Sequence, residues 1–161
     1  DKRLKRWTQH YGYKYQYTTR IIKKEDYLGK LPEWSNMVID YINEIGEGQE
    51  GKEEEGKDKI DQIIVNRYLP GEGINPHIDV PSIFGPTIYS LSLGSGCEMC
   101  FTKDKKEYPC YLEPRSLLIM TGEARYGWKH QIKSRKIDLV DGKKIKRGMR
   151  ISLTLRTTII E

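Results

Sequence analysis

Three histidines, one closely spaced carboxylate and two arginines hold most of the chemistry available to this 161-residue chain. His77 and Asp79 stand at i and i+2, on the same face of any extended segment. His130 comes after several further extended segments, so a β fold can return it to the pair. Two imidazoles and a carboxylate bind a metal through three protein ligands and leave three positions open. That arrangement suits non-haem Fe(II) that must also take a cosubstrate and dioxygen. The His-x-Asp pair alone is a weak signal, and a loop with a solvated Asp79 and a half-buried His77 accounts for it more simply.

The last extended segment strengthens the metal reading. In Arg150-Ile-Ser-Leu-Thr-Leu-Arg156 the two arginines share one face, and Ile151, Leu153 and Leu155 occupy the other. An arginine on the inward face of a strand is costly unless it meets an anion, and a bidentate carboxylate is its best partner. Asn66 and Tyr68 also share a face and add an amide and a phenol. Together these groups describe a pocket for a small dicarboxylate beside a metal. Two exposed edge-strand arginines would be the plainer explanation, but it leaves Asn66 and Tyr68 without a role.

The elements that must position these groups are mostly strands. Ile63–Tyr68, Ile88–Leu93, Glu98–Thr102, Tyr108–Leu112, Ser116–Thr121 and Arg150–Thr158 read as strands between turn signals. Tyr11, Tyr13, Tyr15 and Tyr17 recur every second residue, the period of a strand with one aromatic face. One helix opens at Leu31-Pro32 and ends near Gly46, with Leu31, Trp34, Met37, Val38, Tyr41, Ile42 and Ile45 along one stripe. Residues 46–59, rich in Gly and charge, read as a flexible loop. The class is mainly β (α+β): a sandwich or barrel with one supporting N-terminal helix, in a single domain over 1–161.

Composition narrows the setting. Three cysteines are too few and too irregular for a disulfide scaffold, which favours a reducing intracellular compartment, cytoplasmic or nuclear. Cys97, Cys100 and Cys110 read as packing residues. No apolar run is long enough to cross a bilayer, so no membrane partner is expected. The first residue is Asp1 rather than Met, so the chain reads as a piece of something longer. A monomer is expected. Residues 1–30 carry 9 basic and 3 acidic side chains, residues 31–122 carry 8 and 16, and residues 123–161 carry 11 and 4. Two basic ends around an acidic middle form a polyanion-binding face if the fold brings them together, and ordinary solvated surface if not.

Asn66-Arg67-Tyr68-Leu69-Pro70-Gly71, His77-x-Asp79, Ser90-Leu91-Ser92-Leu93-Gly94, Gly122-Glu123-Ala124-Arg125 running to His130, and Arg150-x5-Arg156 resemble the AlkB family of Fe(II)/2-oxoglutarate dioxygenases. The resemblance implies a double-stranded β-helix (jelly roll) using Fe(II), 2-oxoglutarate and O2. It implies His77, Asp79 and His130 as catalytic iron ligands. It places Asn66, Tyr68 and Arg150 on 2-oxoglutarate, with Arg150 at the distal carboxylate, Arg156 near the iron-proximal end and Ser152 between them. His10-Tyr11-Gly12-Tyr13, Pro76–Asp79, Pro114–Gly122 and Arg125-Tyr126-x-Trp128-x-His130 lean toward one branch, the AlkB module of the animal tRNA wobble-uridine hydroxylase–methyltransferase. Pro81 stands where repair enzymes carry a base-reading Asp, and Ser152 where their last strand has Asn, which argues against N-methyl-base repair.

The expected activity is therefore hydroxylation of a modified nucleobase, a wobble uridine side chain in tRNA first. Demethylation of N-methylated DNA or RNA bases, or of a protein side chain, is the alternative within the chemistry. A non-catalytic basic β-barrel that binds RNA is the alternative outside it. Tyr11, Tyr13 and Tyr15, with Trp7, are the candidates to stack on a displaced base. Arg125, Lys143, Lys144, Lys146 and Arg147 are the candidates for nucleic-acid contact.

Overall fold

A computed structural model describes residues 6–47 and 59–160. In chain order the strands are β1 (Trp7–Tyr11), β2 (Gln62–Tyr68), β3 (Ile74–His77), β4 (Phe84–Gly94), β5 (Cys97–Lys103), β6 (Lys106–Leu112), β7 (Leu117–Met120), β8 (Lys129–Ile132), β9 (Ile137–Val140), β10 (Lys143–Lys146) and β11 (Arg150–Thr158). Two helices, α1 (Asn36–Glu47) and α2 (Gly122–Tyr126), interrupt them. Five strands form one sheet in the order β1-β2-β11-β4-β7, four form a second in the order β3-β8-β5-β6, and β9 and β10 make a separate hairpin. All pairings are antiparallel. Tyr68 from the first sheet packs with Cys97, Met99, Leu112 and Ile132 from the second, so the two sheets close on each other. This is the sandwich expected from the strand spacing, in the jelly-roll form that the family resemblance implies.

The first sheet is two-faced because its strands alternate. Ile63, Tyr89, Leu153 and Leu155 point to one side and pack under Ile42 of α1. Gln62, Asn66, Ser90, Ser92, Arg150, Ser152 and Arg156 occupy the other side, all buried. A central strand with arginines at both ends of its inner face is a poor structural design unless charge is waiting there.

Two expectations are corrected. The tyrosine strand stops at Tyr11, because Gly12 takes a positive φ of 75° and a Cβ there would lie 1.8 Å from Asp61 O. Beyond it, Tyr13 and Gln16 make only isolated bridges, to Tyr27 and Ile21. The helix begins with a 3-10 turn, Glu33–Ser35, and its apolar stripe divides. Val38 and Ile42 face the sheet, while Trp34, Met37 and Tyr41 stay exposed, because a single helix lying on a sheet buries less than half its circumference. The loop expected at 46–59 lies, apart from its ends, outside the described residues. Among those described, no helix is long and apolar enough to cross a membrane.

Candidate active site

β3 and β8 pair with His77 directly opposite His130, and Asp79 follows two residues past the end of β3. The three side chains offer ligand atoms within 4.8 Å of one another, close enough to share one cation. The two imidazole centroids are 4.2 Å apart, and His77 Nε2 lies 3.8 Å from Asp79 Oδ1. His77 Nδ1 sits 2.8 Å from Asn75 O, an acceptor, so that nitrogen carries the proton and Nε2 is left as a lone-pair donor. This is the donor set the sequence pointed to, assembled from two strands of the second sheet and the loop that follows β3.

Asp79 is the electrostatic pivot. Burial pushes its carboxyl upward, but Arg156, then His130 and His77, outweigh that and hold it at about 2. Arg156 Nε and Nη2 reach the two carboxylate oxygens at 3.2 and 3.1 Å, and Nη1 donates to Gln62 Oε1 at 3.1 Å. The sequence reading missed Gln62, which is wholly buried and donates onward to Tyr13 O. Its position four residues before Asn66, on the same inner face, was the available signal.

The histidines stay neutral for a different reason. Burial lowers His130 to about 4, with His77 next as a cause, and burial likewise lowers His77. His10, which accepts from Tyr15 N at 3.0 Å, is lowered to about 4 by burial and then by Arg156. In the unfolded chain all three titrate near the ordinary 6.5. The unfolded state therefore takes up protons that the folded state refuses, and stability falls as pH drops from about 6.5 toward 4. His130 alone contributes a loss of roughly 2 kcal/mol by pH 5. Urea unfolding of metal-free protein at pH 7 and pH 5 checks this: a clear fall in midpoint is expected, and equal midpoints would refute it.

Arg150 lies on the same strand as Arg156 but at the other end of the inner face. It is 2% exposed, its Nη2 donates to Ser92 Oγ at 2.8 Å, and the Tyr68 ring sits 5.5 Å from its Cζ. Its Nε has no partner, and it has no ion pair among the described residues. A buried guanidinium in that state is incomplete, and a carboxylate is the group that completes it. The neighbouring row, Asn66–Ser152–Ser92, runs across β2, β11 and β4 and adds an amide and two hydroxyls. These residues have the donors to hold a small dicarboxylate.

Residues 2–156 match the profile of the 2OG-Fe(II) oxygenase superfamily. The chain belongs to that superfamily. It is 38% identical to a protein named "Alkylated DNA repair protein ALKBH8 homolog" from Arabidopsis thaliana, over 94% of this chain and 49% of that one. It is 37% identical to "tRNA (carboxymethyluridine(34)-5-O)-methyltransferase ALKBH8" from Mus musculus, over 94% of this chain and 24% of that one. Among solved structures, "The structure of OsALKBH1" superposes with a TM-score of 0.68 over 96% of this chain and 78% of the other, at 22% identity, a likeness of fold. The chain spans half or less of the length of the curated relatives named here. The AlkB resemblance read from the residues is borne out, and with it the cofactor set of Fe(II), 2-oxoglutarate and O2.

Within this oxygenase domain the residues chosen for nucleic acid divide sharply. Arg125 is buried and donates to Asp79 O at 2.5 Å, Gly85 O at 3.2 Å and Phe84 O at 3.2 Å, so it braces the loop carrying Asp79 and is not available to a phosphate. Arg147 is also buried, with Nε and Nη2 each 2.7 Å from the Asp138 carboxylate and Nη1 on Lys133 O. Both are corrected to internal braces: an arginine's charge in the sequence does not show whether carbonyls and a carboxylate already claim its donors. Lys143, Lys144 and Lys146 are exposed on β10. Tyr11 packs on Trp34, in the 3-10 turn before α1, at 5.5 Å, and Tyr13 packs on Tyr27. Tyr15 turns toward the site instead, with its ring on Phe84 at 5.7 Å and on Tyr17 at 4.9 Å. Arg6, His10 and Tyr17 also gather here, and none had been assigned a role: His10 Nε2 lies 3.4 Å from Tyr17 Oη and the Arg6 guanidinium 6.0 Å from the Tyr17 ring. The signal for Arg6 and His10 lay in the alternation along β1, whose even-numbered residues share the inner face of the first sheet, whereas Tyr17 lies beyond that strand and offered no such signal.

Proposed function

We propose that this domain hydroxylates a C–H bond on a modified nucleobase, with a wobble uridine side chain in tRNA as its substrate. The observation that carries the oxygenase part is the unpaired, buried Arg150 on the same inner face as the Arg156 that grips Asp79. A charge left open there has a use when a dicarboxylate binds across the pocket. The names of relatives that match nearly the whole chain support the tRNA part, and the absence of a base-reading carboxylate at Pro81 agrees with it.

When bound, iron, 2-oxoglutarate and O2 supply C–H hydroxylation coupled to decarboxylation of the cosubstrate to succinate. The protein's own share is ligation, orientation and exclusion of water. His77, Asp79 and His130 would hold the metal, and Asn75 O, accepting from His77 Nδ1, leaves Nε2 with a free lone pair as a ligand atom. Arg156 keeps Asp79 ionised and immobile. Arg150, Ser92, Asn66 and Tyr68 would hold the cosubstrate's carboxylate through their guanidinium, hydroxyl, amide and phenol donors. Phe84 and Tyr15 wall the Asp79 side against solvent, with Phe84 4.5 Å from the Arg156 guanidinium.

A second reading stays within the same chemistry. The chain is 29% identical, over 92% of its length, to a Caenorhabditis elegans protein named "DNA N6-methyl adenine demethylase". Hydroxylation of an N-methyl group on a base releases formaldehyde, so the two readings differ in product. Incubating the protein with tRNA, or with N-methylated oligonucleotides, and measuring nucleosides by mass spectrometry separates them. A hydroxylated uridine side chain in the tRNA arm supports the proposal, and demethylation in the other arm alone overturns it.

The exposed lysines give a prediction on binding. β10 is joined to β9 by a tight turn at Asp141 and Gly142, both at positive φ, which projects Lys143, Lys144 and Lys146 on a stiff hairpin. Replacing these three by alanine, with Arg147 left in place, should weaken tRNA binding and flatten the slope of log affinity against log salt by about two units. Wild-type affinity and slope in the triple variant would make the hairpin ordinary surface.

A further inference from the structure

The residue just before β1 has no assigned role, and its placement is specific. Trp7 pairs with Arg67 and Thr8 with Asn66, so the same register sets Arg6 opposite Tyr68 on the inner face. Its Nε donates to Asn66 Oδ1 at 2.9 Å, across 60 residues of sequence. Its guanidinium carbon lies 6.0 Å from the Tyr68 ring centroid, and Arg150 stands 5.5 Å from that same ring. Two guanidiniums therefore contact one phenol at the wall of the dicarboxylate pocket.

We infer that Arg6 is a positioning residue that orients the Asn66 amide, so that its NH2 rather than its oxygen meets the cosubstrate. The inference rests on the cosubstrate reading given above. The physical argument is one of donors and acceptors. A guanidinium has only N–H donors, so it can engage an amide only through the oxygen. Fixing Oδ1 toward Arg6 leaves Nδ2 on the other side, where its contact with Ile64 O is 3.5 Å, at the limit of a hydrogen bond. That amide has hydrogens to spare for an anion. Asn66 is 6% exposed, so bulk water cannot set its orientation. Without Arg6 the amide is free to turn over and present a carbonyl oxygen to a carboxylate, which repels it.

The test is a double-mutant cycle read by binding. Wild type, Arg6→Ala, Arg6→Lys, Asn66→Ala and the Arg6→Ala/Asn66→Ala double variant are titrated calorimetrically with 2-oxoglutarate, Mn(II) replacing Fe(II). Arg6→Ala should weaken 2-oxoglutarate binding by about 5- to 20-fold. The double variant should bind no more weakly than Asn66→Ala alone, because Arg6 acts through that side chain. Arg6→Lys should recover part of the loss, since an ammonium is also a donor only. Unchanged affinity in Arg6→Ala, or losses that multiply in the double variant, would overturn the inference. Arg150→Ala in the same series separates the two levels. If it weakens binding while Arg6→Ala does not, only the role of Arg6 falls; if neither variant changes affinity, the pocket assignment falls with it.

Discussion

Arg150→Ala should lower the affinity for 2-oxoglutarate by tens- to hundreds-fold, or about 2–4 kcal/mol. The variant removes a charge-assisted contact and strands the ligand's carboxylate in a buried site. It should do so without destabilising the metal-free protein. In the wild type the guanidinium is 2% exposed with an unpartnered Nε, so deleting it also deletes a standing penalty. Lower affinity with equal or higher thermal midpoint is therefore the expected signature, measured by calorimetric titration and by thermal unfolding. Unchanged affinity would show that the dicarboxylate sits elsewhere. A sharp fall in the midpoint would mean that Arg150 serves the fold.

Asp79→Ala should behave in the opposite way, losing metal binding and stability together. Both Asp79 oxygens face Arg156, and the variant leaves that buried guanidinium with Gln62 Oε1 as its remaining hydrogen-bond acceptor. Removing one partner of a buried pair costs about 3–5 kcal/mol. His77→Ala and His130→Ala should also abolish stoichiometric Mn(II) binding but leave the thermal midpoint within a few degrees, since neither imidazole neutralises a buried cation. Asp79→Ala protein as stable as His77→Ala would refute the pivot role of Asp79. Retained stoichiometric Mn(II) binding in any of the three would remove that residue from the ligand set.

What could be read without coordinates was what depends on local order. Period-two alternation along Arg150–Thr158 was enough to separate inward arginines from outward Leu153 and Leu155, and the strand has the predicted bounds. The same rule placed Asn66 and Tyr68 on one face. His77 and Asp79 were legible as a pair because i and i+2 share a direction in any extended chain. The family resemblance was legible because its motifs recur in order over most of the chain, and a profile match over residues 2–156 agrees.

Tertiary structure decided everything that depends on which donor meets which acceptor. Arg125, Arg147 and Lys143 are all cations in the sequence. Only the fold buries the first against three carbonyls, locks the second to Asp138 and leaves the third in solvent. The tyrosine alternation ran through Gly12 without a visible break, yet a contact with Asp61, 49 residues away, ends the strand there. Arg6 offers no motif, and its role exists only because β1 pairs with β2 in one register. Periodicity is a property of the local backbone and survives in the sequence. The partner of a long, flexible, charged side chain is set by packing between distant segments, where burial raises the cost of a missing partner until a single arrangement prevails.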